Sequence, residues 1–365
     1  MKIVHFDIDD LDSPYGGGQG RRTARINEYI SKLHDVIVLS GGHPGARRVR
    51  KYGCEYRYLP AFPFPLNTAA FFATAPFRLR ALKYDLVVED FTSPVSCAFT
   101  PFYARAPVLG SAQFFFAHRM AAKYHLPFGR VEDAGLKHYK YLIAMTPDQA
   151  TDMRKRAPNA TVAVIPEGVE ESAFHVKREQ GDYIAFMGRI DWHQKGLDYL
   201  VEIAKKIFPI EIRVAGDGRD VKRFSNLISA LPNVKYVGKV SGDRRLHFLA
   251  GARATIMPSR YETFGMVAIE SLAVGTPVVC SNIANLSFAA GNVSTLVAEG
   301  DIDGYASALE RLAARGPDGI WREMARSHAR TFLWEAIARK QLDFYNFVLE
   351  TDGKEAADRK MDRPS

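Results

Sequence analysis

Strand-like and helix-like segments alternate along nearly the whole chain of 365 residues. That alternation confines the fold to α/β architectures built on parallel sheets. In the first half, 2–6 reads as a strand, followed by a glycine-rich turn and a helix to about Leu33. Further strands are expected at 36–39, 56–59, 86–88, 108–110, 141–145 and 162–165. The rhythm restarts after a polar, charged stretch that ends at Asp182. Strands at 183–187, 211–215, 234–237, 254–257, 278–280 and 295–297 then alternate with helices at 196–207, 221–230, 243–250, 265–274 and 303–314. Two doubly wound sheets of similar size follow, each binding ligands at the carboxyl ends of its strands. The expected domains are 1–170 and 171–331. An aromatic-bearing helix is expected at 332–350, then a disordered, charge-rich tail at 351–365.

Length agrees, at roughly 100–200 residues per domain. A chain that is 47% hydrophobic and 25% charged is not disordered throughout. No run approaches the roughly 18 apolar residues of a spanning helix, and the opening Met1-Lys2-Ile3-Val4-His5-Phe6-Asp7 lacks the apolar core of a signal peptide. Cys54, Cys97 and Cys280 are too widely spaced for a zinc site and odd in number, so they read as reduced thiols of a cytoplasmic protein. The net charge of +8 suits nucleic acid, an anionic membrane or a phosphorylated ligand equally.

Three clusters could carry chemistry. In Pro258-Ser259-Arg260-Tyr261-Glu262-Thr263-Phe264-Gly265 and the helix after it, Glu262 is expected on the loop and Glu270 one to two turns into the helix. The stretch 266–280 is too apolar to be a solvent face. Gly265 admits close backbone approach, and free amides of a first helical turn bind anions. In Gly188-Arg189-Ile190-Asp191-Trp192-His193-Gln194-Lys195-Gly196, an Arg and a Lys at a strand-to-helix turn suit a diphosphate. Gly216 and Gly218, ending the next strand, could admit a ligand close to the backbone. The third cluster, Gly16-Gly17-Gly18-Gln19-Gly20, lies between the first strand and first helix, without the spacing of a Rossmann fingerprint or the Lys-Ser/Thr of a P-loop.

In order and spacing, the stretches 16–20, 165–169, 186–197, 214–218, 234–240 and 259–279 resemble glycosyltransferase family 4, the retaining nucleotide-sugar enzymes of the GT-B fold. Trp334-Glu335-Ala336-Ile337-Ala338 fits that family's closing helix, which returns to the first domain. The resemblance implies GT-B architecture: two doubly wound Rossmann-like domains facing a central cleft, with acceptor on the first and nucleotide-sugar donor on the second. It implies that Arg189 and Lys195 hold the donor diphosphate and that Glu262 contacts the donor sugar. The amides of Phe264, Gly265, Met266 and Val267 would hold sugar and phosphates, and Glu270 the ribose hydroxyls. Val240 would lie near the base, with Gly17 and Gly18 approaching the phosphate from the other domain. Glu167 stands where the family has Asn. Gln113 stands where it often has His, with His118 five residues on, so both are placed on the acceptor side. The implied activity is a metal-independent, retaining hexosyl or related transfer to a small-molecule, glycan or lipid-linked hydroxyl. No cofactor is implied beyond the donor substrate, whose base stays open.

Rival readings share some of these residues. Asp7-Ile8-Asp9-Asp10 resembles the metal-binding Asp-x-Asp of the other large glycosyltransferase fold, but lies at the first strand's end rather than mid-chain. An epimerase or phosphorylase would use the same domain pair. A basic nucleic-acid-binding protein is supported by charge alone, with no recognition helix or stacking motif. The aromatics and cations of 62–80, with Phe114-Phe115-Phe116, suit either a peripheral contact with the inner membrane surface or a buried helix and a strand end.

Overall fold

The computed structural model describes the chain except residues 13–17, 44, 60–65, 93–96, 98, 114, 178–180, 317 and 362–365, and except the side chains of 18–19, 66–69, 123–124 and 355–361. The chain divides into two compact units, Met1–Pro166 together with the chain from Glu335 onward, and Glu167–Trp334.

Unit 1 runs β1 (Lys2–Asp7), α1 (Gly18–Ile30), β2 (Asp35–Ser40), β3 (Val49–Lys51), β4 (Cys54–Tyr58), α2 (Leu66–Arg80), β5 (Leu86–Asp90), β6 (Val108–Ser111), α3 (Ala117–Tyr124), α4 (Phe128–Leu136), β7 (Tyr141–Ala144), α5 (Pro147–Arg156) and β8 (Thr161–Val164). The sheet order is β3-β4-β2-β1-β5-β6-β7-β8. Pairing is parallel except where β3 meets β4. Strands β5, β6 and β7 are buried along their whole length, as helices on both faces require. Sequence periodicity missed β3, because three residues reading Val-Arg-Lys at a sheet edge carry no alternation. Short, charged edge strands resist pairing with other chains. Phe71, Ala75 and Leu79 turn one face of α2 into the core, while Phe77 is exposed. Of the aromatic stretch at 62–80, residues 62–65 lie outside the described residues, as does Phe114.

Unit 2 runs β9 (Tyr183–Met187), α6 (Leu197–Lys206), β10 (Glu211–Ala215), α7 (Val221–Ile228), β11 (Val234–Gly238), α8 (Asp243–Ala250), β12 (Ala254–Met257), α9 (Met266–Ala273), β13 (Val278–Ser281), α10 (Ala284–Ala290), β14 (Thr295–Val297), α11 (Ile302–Ala314) and α12 (Gly319–Arg330). All pairs are parallel, in the order β11-β10-β9-β12-β13-β14. Alternate side chains along the strands feed two cores, one on each face. Ile184, Phe186, Val214 and Ile256 pack with α6 and α11. Ala185, Met257, Val278 and Cys280 pack with α9, α10 and α12.

The last helix, α13 (Trp334–Met361), begins where Val169 bonds through its backbone to Phe332 and Trp334. Further along, Gln341 accepts from Arg22 Nη2 at 2.8 Å, and Arg22 also donates to the carbonyls of Ile165 and Pro166. The helix continues through Met361, inside the stretch 351–365 that was expected to be disordered. Lys354, Glu355, Ala356, Ala357, Arg359 and Lys360 favour helix, and each adds one bond to a helix already nucleated, which outweighs Gly353. Residues 362–365 lie outside the described residues.

Cys54, Cys97 and Cys280 are free and buried. Burial pushes each thiol up to about 12. Among the described residues, no helix is long and apolar enough to cross a membrane.

Candidate functional site

In unit 2 the sheet grows from β9 in both directions, with β10 on one side and β12 on the other. A crevice at such a switch point opens at the carboxyl ends of the two strands. Loop 188–196 leaves β9 there, and loop 258–265 leaves β12. Lys195 Nζ donates to Glu262 Oε1 at 2.6 Å, and Ser259 Oγ donates to the same oxygen at 2.8 Å. Asn285 of α10 holds the Glu262 backbone carbonyl at 2.9 Å. The structure thus joins two residues 67 positions apart into one ion pair. Arg189 is exposed and, among the described residues, in no ion pair. A second, unneutralised cation therefore stands on the same loop.

Arg260 is a residue the sequence reading passed over. Its guanidinium grips both Asp198 carboxylate oxygens, at 2.8 and 2.5 Å, and the His193 carbonyl at 3.0 Å. It also lies over the Tyr199 ring at 3.9 Å. Burial alone would raise the Asp198 carboxyl, but the Arg260 hydrogen bonds outweigh it and hold the group below its ordinary value. Arg260 so pins the β12 loop to α6 and to the loop that carries Lys195.

Gly265 caps α9 with φ of 112°, and a Cβ there would stand 2.6 Å from Leu286 Cδ1. The left-handed backbone requires glycine there, and a side chain would also displace the tip of Leu286. Phe264 anchors the loop from below, edge-on to Phe288 and Phe332. The first-turn amides of Met266 and Val267 have no partner within a helix, and free amides of a first turn suit an anion. Glu270 lies in the second turn at 3% exposure, and Arg245 of α8 donates to its Oε1 at 2.9 Å.

At Gly216 a Cβ would come within 1.8 Å of the Gly188 carbonyl oxygen, so packing between loops by itself requires glycine there. Val240 is half-buried just beyond β11. Gly18 opens α1, while Gly17 lies outside the described residues.

In unit 1, Gln113 follows β6, and both its amide atoms are buried beside the Asp90 carboxylate. His118 is exposed on α3 and bonded to Asp133 of α4 at 3.0 Å. His118, Glu132 and Asp133 group closely enough to hold a metal, but Arg156 already meets both carboxylates, at 2.5 and 2.6 Å. Asp10 likewise spends its oxygens on Lys51, Tyr58 and His43. The Asp7–Asp10 cluster therefore does not converge its oxygens on one point.

A buried polar row emerges instead. The register Phe6↔Glu89 brings Asp7 beside Asp90, and Asp90 pairs with Ser111. Asp90 accepts from Thr23 at 2.8 Å and meets His5 Nε2 at 2.6 Å, while Asn27 meets the other His5 nitrogen. Burial pushes the Asp7 carboxyl well above its ordinary value, and the Asp90 and Asp9 carboxylates add to it. Burial is the largest influence on Asp90 and would raise it, but the charge and hydrogen bond of His5 and further polar neighbours together outweigh it and hold that carboxyl low. The only trace in the sequence is an acidic residue ending each of two apolar strands.

Two parallel-sheet, Rossmann-like units in one chain, with ligand loops at their strand ends, define the class: the GT-B fold. The structure matches sucrose-phosphate synthase from Thermosynechococcus elongatus with a TM-score of 0.79, over 96% of this chain and 100% of that one, at 20% identity. Residues 16–173 match Glycosyltransferase Family 4, and residues 181–315 match Glycosyl transferases group 1. The chain belongs to the family-4 group of GT-B glycosyltransferases. D-inositol 3-phosphate glycosyltransferase of Nocardiopsis dassonvillei is 28% identical over 59% of this chain and 58% of its own length. The GDP-mannose-dependent alpha-(1-6)-phosphatidylinositol dimannoside mannosyltransferase of Mycobacterium tuberculosis is 23% identical over 94% of this chain and 95% of its own. The chain spans about half the length of the curated relatives it matches first.

Proposed function

We propose that the protein moves a sugar from a nucleoside-diphosphate sugar to an acceptor hydroxyl, with retention and without a metal ion. The observation that carries this reading is the Lys195–Glu262 pair at the switch point of unit 2, with Arg189 exposed on the same loop. The donor dependence in the name of the mycobacterial mannosyltransferase supports a nucleotide-sugar donor, and its lipid-borne glycan a glycan or lipid-linked acceptor.

The bond between the anomeric carbon and the β-phosphate oxygen breaks, and the acceptor oxygen bonds to that carbon on the same face. The acceptor proton passes to the departing phosphate. Negative charge thus grows on the phosphate, where Arg189, Lys195 and the first amides of α9 stabilise it, as preorganised donors do in an oxyanion hole. Glu262 takes donor sugar hydroxyls, and its pairing with Lys195 keeps carboxylate and ammonium in register. Glu270 takes the ribose hydroxyls, Val240 lines the base, and Gln113 and His118 stand on the acceptor side.

Lys195→Ala and Glu262→Ala are expected to keep native circular dichroism while transfer falls roughly 100-fold or more. Full turnover by either purified variant, measured with a labelled nucleotide sugar, would sink the assignment. Product analysis in the same assay separates transfer from epimerisation.

A further inference from the structure

Arg245 is a cation at 8% exposure, and a buried charge persists only where its donors are met. Its Nε bonds Glu270 on α9, and its Nη1 donates to the Gly242 carbonyl at 2.8 Å. Gly242 caps α8 with φ of 60°, closing the loop 239–242 that follows β11. One guanidinium therefore ties the second turn of α9 to the loop beyond β11. A planar fork can hold two acceptors in fixed directions at once, which a single ammonium cannot do with the same geometry. In the sequence Arg245 has no mark, standing beside Arg244 in an ordinary amphipathic helix, 25 positions from its partner.

We propose that Arg245 is a positioning residue for the nucleoside half of the donor, fixing the Glu270 carboxylate and the 239–242 loop so that ribose and base are read together. The proposal rests on the donor reading above and deepens it. Arg245 acts through Glu270, so its loss weakens recognition of ribose hydroxyls and leaves the chemistry at Lys195 and Glu262 in place.

The test uses UDP, GDP and ADP, each with its 2′,3′-dideoxy analogue, titrated calorimetrically into the full chain and into Arg245→Met and Arg245→Lys. The wild type is expected to prefer the ribo form by about tenfold. Arg245→Met is expected to lose that preference by weakening the ribo form alone, and Arg245→Lys to fall between. In transfer assays the donor KM rises about tenfold while kcat stays within about threefold. Because Arg245→Met removes the guanidinium from a buried carboxylate, the double variant Arg245→Met/Glu270→Gln, with neither charge, is measured beside it. It is expected to fold and to show no ribose preference. Wild-type ribose preference in Arg245→Lys and Arg245→Met, or equal loss of ribo and dideoxy binding, overturns the proposal alone. Failure of the wild type to bind any of the diphosphates overturns the donor reading and the proposal with it.

Discussion

Asp7 ends β1 with its side chain wholly buried and its Oδ2 without a hydrogen-bond partner among the described residues. The unfolded chain titrates this group at its ordinary value of 3.8, whereas burial and the Asp90 and Asp9 carboxylates hold the folded value well above it. The folded state therefore binds the proton more tightly. The stability Asp7 contributes is full below the ordinary value and is lost as pH rises toward the folded one. Asp7→Asn keeps the shape of the protonated acid without that loss. The variant is expected to be more stable than the wild type near pH 7. The gap should close near pH 3 in urea titrations, and a less stable variant at pH 7 contradicts the account. At this scale the sequence was readable where a residue's own loop announces it. Lys195 and Glu262 stand in glycine-bearing turns after apolar strands, and Glu270 stands in a stretch with no solvent face. Arg245, Arg260 and the Asp7–Asp90 row were not readable, because each is defined by a partner that only the folded register brings near.

Among the elements, the two loops of unit 2 are held as a pair rather than singly. Arg260 joins them through Asp198 on α6 and the His193 carbonyl, and its own amide donates to the Gln194 carbonyl at 3.0 Å. Removing that joint by Arg260→Ala is expected to lower stability by about 1–3 kcal/mol. It should also lower kcat/KM, since Lys195 and Glu262 come from opposite loops. Arg260→Lys should recover only part of either loss, because it lacks the fork. Equilibrium denaturation and steady-state kinetics read both effects; an Arg260→Ala protein unchanged in both would show the loops to be fixed by other contacts. Strands were the most legible elements: 183–187, 211–215, 254–257 and 295–297 begin and end where the sequence placed them. Parallel strands buried on both faces read as short apolar runs between glycines and helices. What escaped was β3, the places of α3, α4 and α5, the helices α10 and α12, and the length of α13. Its end was read as disordered because charge dominates the sequence from Thr351 on, although Lys, Glu and Ala there favour helix.

At the scale of the whole molecule, each unit carries its own core, so ligand effects should map unevenly. The donor reading places every nucleotide contact but those of Gly17 and Gly18 in unit 2. UDP or GDP at one hundred times its Kd stabilises the binding state by about 2.7 kcal/mol. Hydrogen exchange is expected to slow in 188–196, 239–242 and 258–270, and to stay unchanged in β3 and β4. Slowing spread evenly over both units, or none at all, would contradict this placement. The surplus of 49 basic over 41 acidic residues is not explained by this site, to which Arg189 and Lys195 bring only two cations. The connection between units has a consequence for how the chain is made. Arg22 is buried in unit 1, and one of its acceptors, Gln341, lies 319 residues downstream. A ribosome therefore releases all of unit 2 before the first unit has its last helix. Domains commonly mature in the order they are synthesised; here the second has its full sequence in hand first, while the nascent first half waits with a cation one acceptor short.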